Sequence, residues 1–392
     1  MHKIMKTKHL IFLPIVMALS VISSCAISPT GGEEKKDDPA NENLILTEMN
    51  TSSTNFGDRA IEFSNISDED INLDDYSLEV YRNYSNISTE SISLKGYVIK
   101  AHSSFVVAYI NAKEEILDKA DLVTDQYLNS GSFPVALAYK GKAFDSIGVI
   151  GYNYDFAQGA VLVRRKECFK QTLEFSLYDW VRYPVNSIDT LGNYDVVSEE
   201  TLLEGPKLTE EDFNKPFCTD GSIGDGGLIE VSYQYNIDGD TTKFNYGYEY
   251  SEFDVSGSLS TRYYAINTPE IAHGPGEEAD PYGNEARDFT QGYLNRAKKY
   301  LVQSVNGYSF HETYGRMLGY VWIAFVNNPA PEDYVLLNYL IVKNGFSNPA
   351  FLTRNADYHS LMTYEGVSYI EYIYFAQQYA IINELNIHSG GK

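Results

Sequence analysis

The chain has 392 residues, room for two ordinary domains with tails, and its 43% hydrophobic and 14% aromatic content rules out global disorder. A formal net charge of −24 argues against broad, charge-driven adhesion to nucleic acid or anionic lipid. Any nucleic-acid chemistry must therefore come from a local cationic site or a bound metal. The 33 tyrosines suit strands with one wet face, where the ring packs and the hydroxyl stays hydrated.

The N-terminus reads as an export signal. His2, Lys3, Lys6 and Lys8 precede an apolar core at residues 10–21. That core is shorter than the ~20 residues a membrane-spanning helix needs. It ends in Val21-Ile-Ser-Ser-Cys25, which resembles a bacterial lipobox. The resemblance implies that Cys25 is lipidated and anchors the protein to the membrane. Residues 1–25 are thus expected to be a lipoprotein signal, and residues 26–43, rich in Gly, Glu, Lys, Asp and Pro, a solvated tether. The rest is expected to be exported and soluble. An exported compartment permits a disulfide between Cys168 and Cys218, although spacing alone does not establish one.

From residue 44 to 195 short β-rich runs alternate with turns. They include Ala60-Ile-Glu-Phe-Ser64, Tyr76-Ser-Leu-Glu-Val-Tyr81, Tyr97-Val-Ile, Ser104-Phe-Val-Val-Ala-Tyr109, Val135-Ala-Leu-Ala-Tyr139 and Ala160-Val-Leu-Val-Arg164. Many short strands with little helical periodicity predict an all-β sandwich. The landmarks Glu62-Phe-Ser-Asn65, Leu73-Asp-Asp-Tyr-Ser-Leu78, Trp180 and Asp189-Thr-Leu-Gly192 resemble, in order, those of the lamin-tail domain. That resemblance implies an immunoglobulin-like fold and a binding or positioning module, its partner unknown. The acidic runs Asp68-Glu-Asp70 and Asp74-Asp75 are either solvated loops or calcium ligands.

Residues 196–227 are acidic and loop-like, with Pro206, Pro216 and four glycines between Gly221 and Gly227, and are expected to be an interdomain linker. Strands follow at Leu228-Ile-Glu-Val-Ser-Tyr-Gln-Tyr235, after the turn Ile237-Asp-Gly-Asp-Thr-Thr242, at residues 246–253, and at Arg262. Residues 273–281 are expected to be a mobile loop. Asn284 is expected to cap a helix whose apolar face is Ala286, Phe289, Tyr293, Ala297 and Leu301. A strand over 317–325, a helix over 334–344 stopped by Gly345 and a last helix over 366–385 complete an α+β domain, a small barrel with helices packed on it, over 228–392.

Four pieces of this region resemble staphylococcal nuclease in order and spacing. They are Ile237-Asp-Gly-Asp-Thr241, Arg262 with Asn267-Thr-Pro-Glu270, Tyr282-Gly-Asn-Glu-Ala286, and Tyr314-Gly-Arg316 ahead of a Gly-Tyr strand. The resemblance implies an OB-fold barrel with three helices and a calcium-dependent nuclease acting on DNA or RNA. In that family's terms Asp240 is a calcium-ligand carboxylate, the Thr268 carbonyl is another ligand, and Glu270 is the general base for the attacking water. Arg262 and Arg316 grip the phosphate, since a guanidinium donates parallel hydrogen bonds and stays charged. Tyr314 and Phe351 match substrate-binding positions; Phe351 stands where the family tends to have tyrosine, which keeps base stacking and loses a hydroxyl. Asn267 stands where the family has a second aspartate. Its amide oxygen can ligate calcium with one charge fewer, so weaker affinity is expected.

Taken singly, each piece has a bland explanation. Asp-Gly-Asp-Thr is a common hairpin tip, and an arginine leading a strand is usually a surface residue. His273, His311 and His359 have no supporting partners in the sequence and are expected on the surface. A rival to the nuclease is a binding or scaffold lipoprotein whose barrel has lost catalysis; a calcium-stabilised adhesin is a third.

Overall fold

The computed structural model describes residues 40–51, 57–128, 130–153, 156–184, 187–193, 197–247, 255–272, 274–312, 314–350 and 362–389. The signal core, Cys25, Phe351, His273, His359 and most of the strand expected at 246–253 lie outside these. Among the described residues no helix is long and apolar enough to cross a membrane.

The N-terminal half runs through β1 (Leu44–Asn50), β2 (Ala60–Asn65), β3 (Ile71–Asn72), β4 (Tyr76–Val80), β5 (Glu90–Ser93), β6 (Val98–Ile99) and β7 (Ser103–Tyr109). It continues with a single-turn helix α1 (Glu114–Leu117), β8 (Leu122–Thr124), β9 (Val135–Tyr139), β10 (Lys142–Ile147), β11 (Ala160–Arg164) and β12 (Trp180–Pro184). A six-stranded sheet, β12-β11-β1-β2-β7-β8, faces a four-stranded sheet, β10-β9-β4-β5. Leu46, Ile61, Phe63, Leu78, Val107, Leu137, Leu162 and Trp180 pack between them. β1 is central in its sheet and buried along its whole length rather than alternately. The outer face of the neighbouring β2 and β7 is covered too, because Ile116 of α1 and Leu191 close over Ala60, Val106 and Ala108. A strand buried on both faces loses the polar–apolar alternation of a half-wet one.

Residues 197–227 are not a free linker. They form α2 (Glu199–Glu204) and α3 (Glu210–Asn214), with Leu202, Leu208 and Phe217 buried in the C-terminal core. The Tyr339 hydroxyl and Lys343 Nζ donate to the carbonyls of Leu202 and Leu203. Composition suggests a linker because few residues here are apolar, but those few are spaced as anchors, and Ser198 and Thr209 cap the two short helices.

The C-terminal half contains β13 (Leu228–Asn236), β14 (Thr241–Asn245), β15 (Ser258–Tyr263), β16 (Ile266–Asn267), α4 (Gly283–Arg296), β17 (Lys299–Gln303) and β18 (Met317–Ala324). Then come β19 (Val335–Leu336), α5 (Leu337–Lys343), β20 (Asn348–Pro349), β21 (Thr363–Tyr364), β22 (Val367–Ser368) and α6 (Tyr369–Ile382). The strand order β15-β14-β13-β17-β18 closes on itself, since β15 also pairs in parallel with β18 through Arg262 and Leu318. Phe244, Tyr263, Val302 and Val321 belong to the core of this half, and Trp322, on the opposite face of β18 from Val321, meets the Tyr369 ring of α6 at 5.7 Å. The Trp322 indole donates to Gln303 Oε1 at 2.8 Å, which satisfies both groups in the core.

Asn284 does not cap α4. Tyr282, in a left-handed conformation (φ 68°), occupies that place without a side-chain bond. The buried stripe of α4 is Gly283, Ala286, Thr290 and Leu294; Ala297 ends the helix, and Leu301 belongs to β17. Cys168 and Cys218 are free thiols.

The two halves share a core. Val161, Val163, Val181 and Tyr183 of β11 and β12 pack with residues of the C-terminal half, and the rings of Tyr178 and Phe375 stack 5.5 Å apart. Residues 40–392 accordingly form one compact unit.

Candidate active site

The expected site residues divide between a cleft and the wall behind it. The cleft, about 560 Å³, is lined by Asp238, Arg262, Asn267, Glu270, Tyr314 and Arg316, with Tyr264, Tyr308 and Glu312 completing its rim. Asp240 and Thr268 lie buried behind it.

Asp238 and Asp240 sit in the turn between β13 and β14, not along a strand. The turn is closed by the amides of Ile237 and Asp238 donating to the Thr241 carbonyl at 3.0 and 3.2 Å. Asp238 Oδ1 accepts the Asp240 amide at 3.1 Å. Gly239 is required here, because a Cβ at that position would meet Thr268 Oγ1 at 2.6 Å. From below, Thr290 of α4 donates its hydroxyl to the Gly239 carbonyl at 2.7 Å, so the buried polar residue of α4 buttresses the turn.

The ligand segment is reached by a sharp corner. Ala265 between β15 and β16 has φ 68°, a conformation sparsely populated by residues with a Cβ. It is held by its neighbours: the Tyr264 amide donates to the Gly319 carbonyl, and Asn338 Nδ2 to the Tyr264 carbonyl, at 2.9 and 2.8 Å. The Asn267 amide then donates to Ser347 Oγ at 2.9 Å, and the Thr268 amide to Asp240 Oδ2 at 2.7 Å. Glu270 is exposed, and its backbone is tied to Asp280 by bonds of 3.1 Å (Glu270 amide to Asp280 Oδ2) and 2.9 Å (Asp280 amide to Glu270 carbonyl).

Both arginines already meet acids. Arg262 donates from Nη1 to Asp240 Oδ1, and from Nη2 to Asn267 Oδ1 and, at 3.3 Å, to the Ile266 carbonyl. Burial pulls its guanidinium below the ordinary value, against the nearby Asp238 carboxylate, which raises it. Arg316 donates from Nε and Nη2 to the two oxygens of Glu312 at 2.7 and 3.0 Å. This bidentate bond pushes the Arg316 guanidinium up and the Glu312 carboxyl down. Glu312, four residues before Arg316, is a site residue that the sequence alone does not mark. The ring of Tyr314 stands 84% exposed beside Arg316, 5.8 Å from its guanidinium carbon. His311 is only partly exposed, against the Phe310 ring.

The oxygen donors here, Asp240, Asp238, Asn267 and the Thr268 carbonyl, are of the hard kind that calcium takes. They are not gathered as a ready cage: among the described residues no group of three or more His, Cys, Asp or Glu is arranged to hold a metal. Arg262 occupies an oxygen of each of two expected ligands, Asp240 and Asn267.

With this geometry in view, the comparison with known families is specific. The sequence model of the family described as Staphylococcal nuclease homologue matches residues 260–367. The likeness is to this stretch of the C-terminal half, which contains Arg262, Asn267, Thr268, Glu270, Tyr314 and Arg316. No curated protein matches the chain.

Proposed function

We propose that the protein is an exported, lipid-anchored, calcium-dependent nuclease that hydrolyses phosphodiester bonds of DNA or RNA. The observation that carries the reading is one cleft bordered by Arg262, Arg316 and Glu270 on a closed five-stranded barrel, within a stretch matched by a nuclease family. The strand order supports an OB-type barrel, and the two facing sheets of the N-terminal half support an immunoglobulin-like, lamin-tail module that positions the enzyme.

In this reading Glu270 takes a proton from water as it attacks phosphorus, the bond from phosphorus to the 5′ oxygen breaks, and that oxygen leaves as a hydroxyl by taking a proton from solvent; the exposed carboxylate at the cleft edge suits the role of base. The two guanidiniums bind non-bridging phosphate oxygens and strengthen as charge builds in the transition state. Asp240, Asn267 and the Thr268 carbonyl would hold calcium, which neutralises phosphate charge when bound. Products would carry 3′-phosphates. Tyr314 offers an exposed ring for a base, and Phe351 is proposed as a second.

The test is cleavage of single-stranded DNA with millimolar calcium, abolished by EDTA. Arg316→Ala and Glu270→Ala each lower the rate by about 10²–10³ with the thermal melt unchanged. Intact DNA at saturating calcium overturns the reading. A second reading, a nucleic-acid-binding module with weakened catalysis, is favoured by Asn267 and by the commitment of Asp240 to Arg262; it gives a retained complex without shortened product. For the anchor, Cys25→Ala releases the protein from membranes; continued sedimentation with them rejects lipidation at Cys25.

A further inference from the structure

We propose that Arg262 and a divalent cation compete for the same two side-chain oxygens, so that cation binding is the event that turns Arg262 toward a phosphate. The proposal deepens the nuclease reading and rests on its assignment of the cation ligands. The guanidinium bridges Asp240 Oδ1 and Asn267 Oδ1, two of the side-chain donors that a cation would take. Asp240 is fully buried, and its other oxygen holds the Thr268 amide. A doubly charged ion and a guanidinium cannot share those oxygens cheaply in a buried place, because their repulsion is little screened there.

Backbone pairing fixes where this competition occurs. Arg262 is held between Thr241 on β14 and Leu318 on β18, so its Cα cannot retreat. Its side chain already borders the cleft beside Glu270 and Arg316. Displaced from Asp240, the guanidinium has the cleft as its adjacent polar space, where phosphate would lie. Asn267 sharpens the exchange. With a carboxylate at that position, charge would remain for the ion while arginine stayed bound; the amide offers only its oxygen, which arginine now takes.

The experiment is calcium titration of the full chain by calorimetry at fixed ionic strength, wild type against Arg262→Gln. Removing the competing cation tightens calcium binding by about tenfold, although the same substitution weakens any cleavage. Equal or weaker binding by folded Arg262→Gln overturns the proposal, as does absence of calcium binding by both proteins at about 10 mM. If the variant fails to fold, the wild type decides through nitrogen-labelled arginine resonances. Guanidinium protons of Arg262 exchange slowly with solvent without calcium and faster with it, and matched sodium chloride has no such effect; unchanged exchange at saturating calcium overturns the proposal. Cleavage with unchanged exchange leaves the nuclease standing and removes this inference, whereas faster exchange without cleavage does the reverse.

Discussion

Each half of the molecule buries an arginine–aspartate pair, and the two pairs have different fates. In the N-terminal half Arg164 donates twice to Asp145, at 2.8 and 3.2 Å, and the Leu46 and Thr172 amides donate to the same carboxylate at 2.8 and 3.0 Å. Arg164 also lies over the Trp180 ring, 5.1 Å from its centre. The Arg164 and Asp145 side chains are 1% and 0% exposed, and burial raises the Asp145 carboxyl despite its partner. In the C-terminal half Arg262 and Asp240 are buried in a similar way, but Arg262 borders a cleft shared with a second arginine and an exposed glutamate. Burial and pairing do not mark function. Access to a cleft and the presence of further polar groups facing it do.

The comparison breaks most visibly if the inner pair is opened. Arg164→Ala leaves Asp145 buried without its charge partner, and the unit loses about 3–5 kcal/mol of stability. Cleavage per folded molecule stays as it was. Urea midpoints with active-fraction correction check both halves of the statement; a stable variant with impaired cleavage would make the N-terminal pair functional after all. A smaller effect is expected from Glu312→Gln. The amide can no longer take both Arg316 donors with full charge, so kcat/KM falls by about tenfold at unchanged melting temperature. Glu312→Asp, with a shorter reach but the same charge, recovers part of the loss, which a merely structural residue would not show.

The fold was legible wherever one strand meets one pattern. Val135–Tyr139 and Ala160–Arg164 appear at their expected places. Leu202, Leu208 and Phe217 do not announce that residues 197–227 belong to the core, because their signal is long-range packing, with Leu202 tied to Tyr339 of α5 and Phe217 against Phe310, rather than local periodicity. At the site, the order of Arg262, Glu270 and Arg316 could be read, and the cleft gathers all three. That Asp240 lies behind the cleft and holds Arg262 could not, since this depends on the hairpin register pairing Thr241 with Arg262. Glu312 was missed for a simpler reason: an acid four residues from an arginine is common on any surface.

A pH-dependent effect is expected where the halves meet. Glu371, at the start of α6, is buried and faces Arg182 of β12 at 3.4 Å, beside a small cavity of about 180 Å³ walled by Trp180, Tyr178 and Phe375. Ser368 Oγ caps its backbone amide at 3.2 Å, so the helix N-terminus favours the charged carboxylate. Burial outweighs both this and Arg182 and pushes the carboxyl up from 4.5 to about 7. Its sign follows from linkage. Between the unfolded and folded values the native state holds more protons than the unfolded chain, so stability falls as pH rises from about 4.5 to about 7 and is flat in this group outside that window. The total is about 3 kcal/mol at most, or a few degrees in melting temperature for a unit of this size. Glu371→Gln removes that slope, while the inner carboxylates Glu48, Glu62 and Asp145, each raised by burial, keep theirs. Melting curves of the two proteins from pH 4.5 to 8 should therefore meet near pH 4.5 and separate progressively up to about pH 7, with the variant higher. Parallel curves would mean that the carboxylate between the halves is charged throughout, held by Arg182.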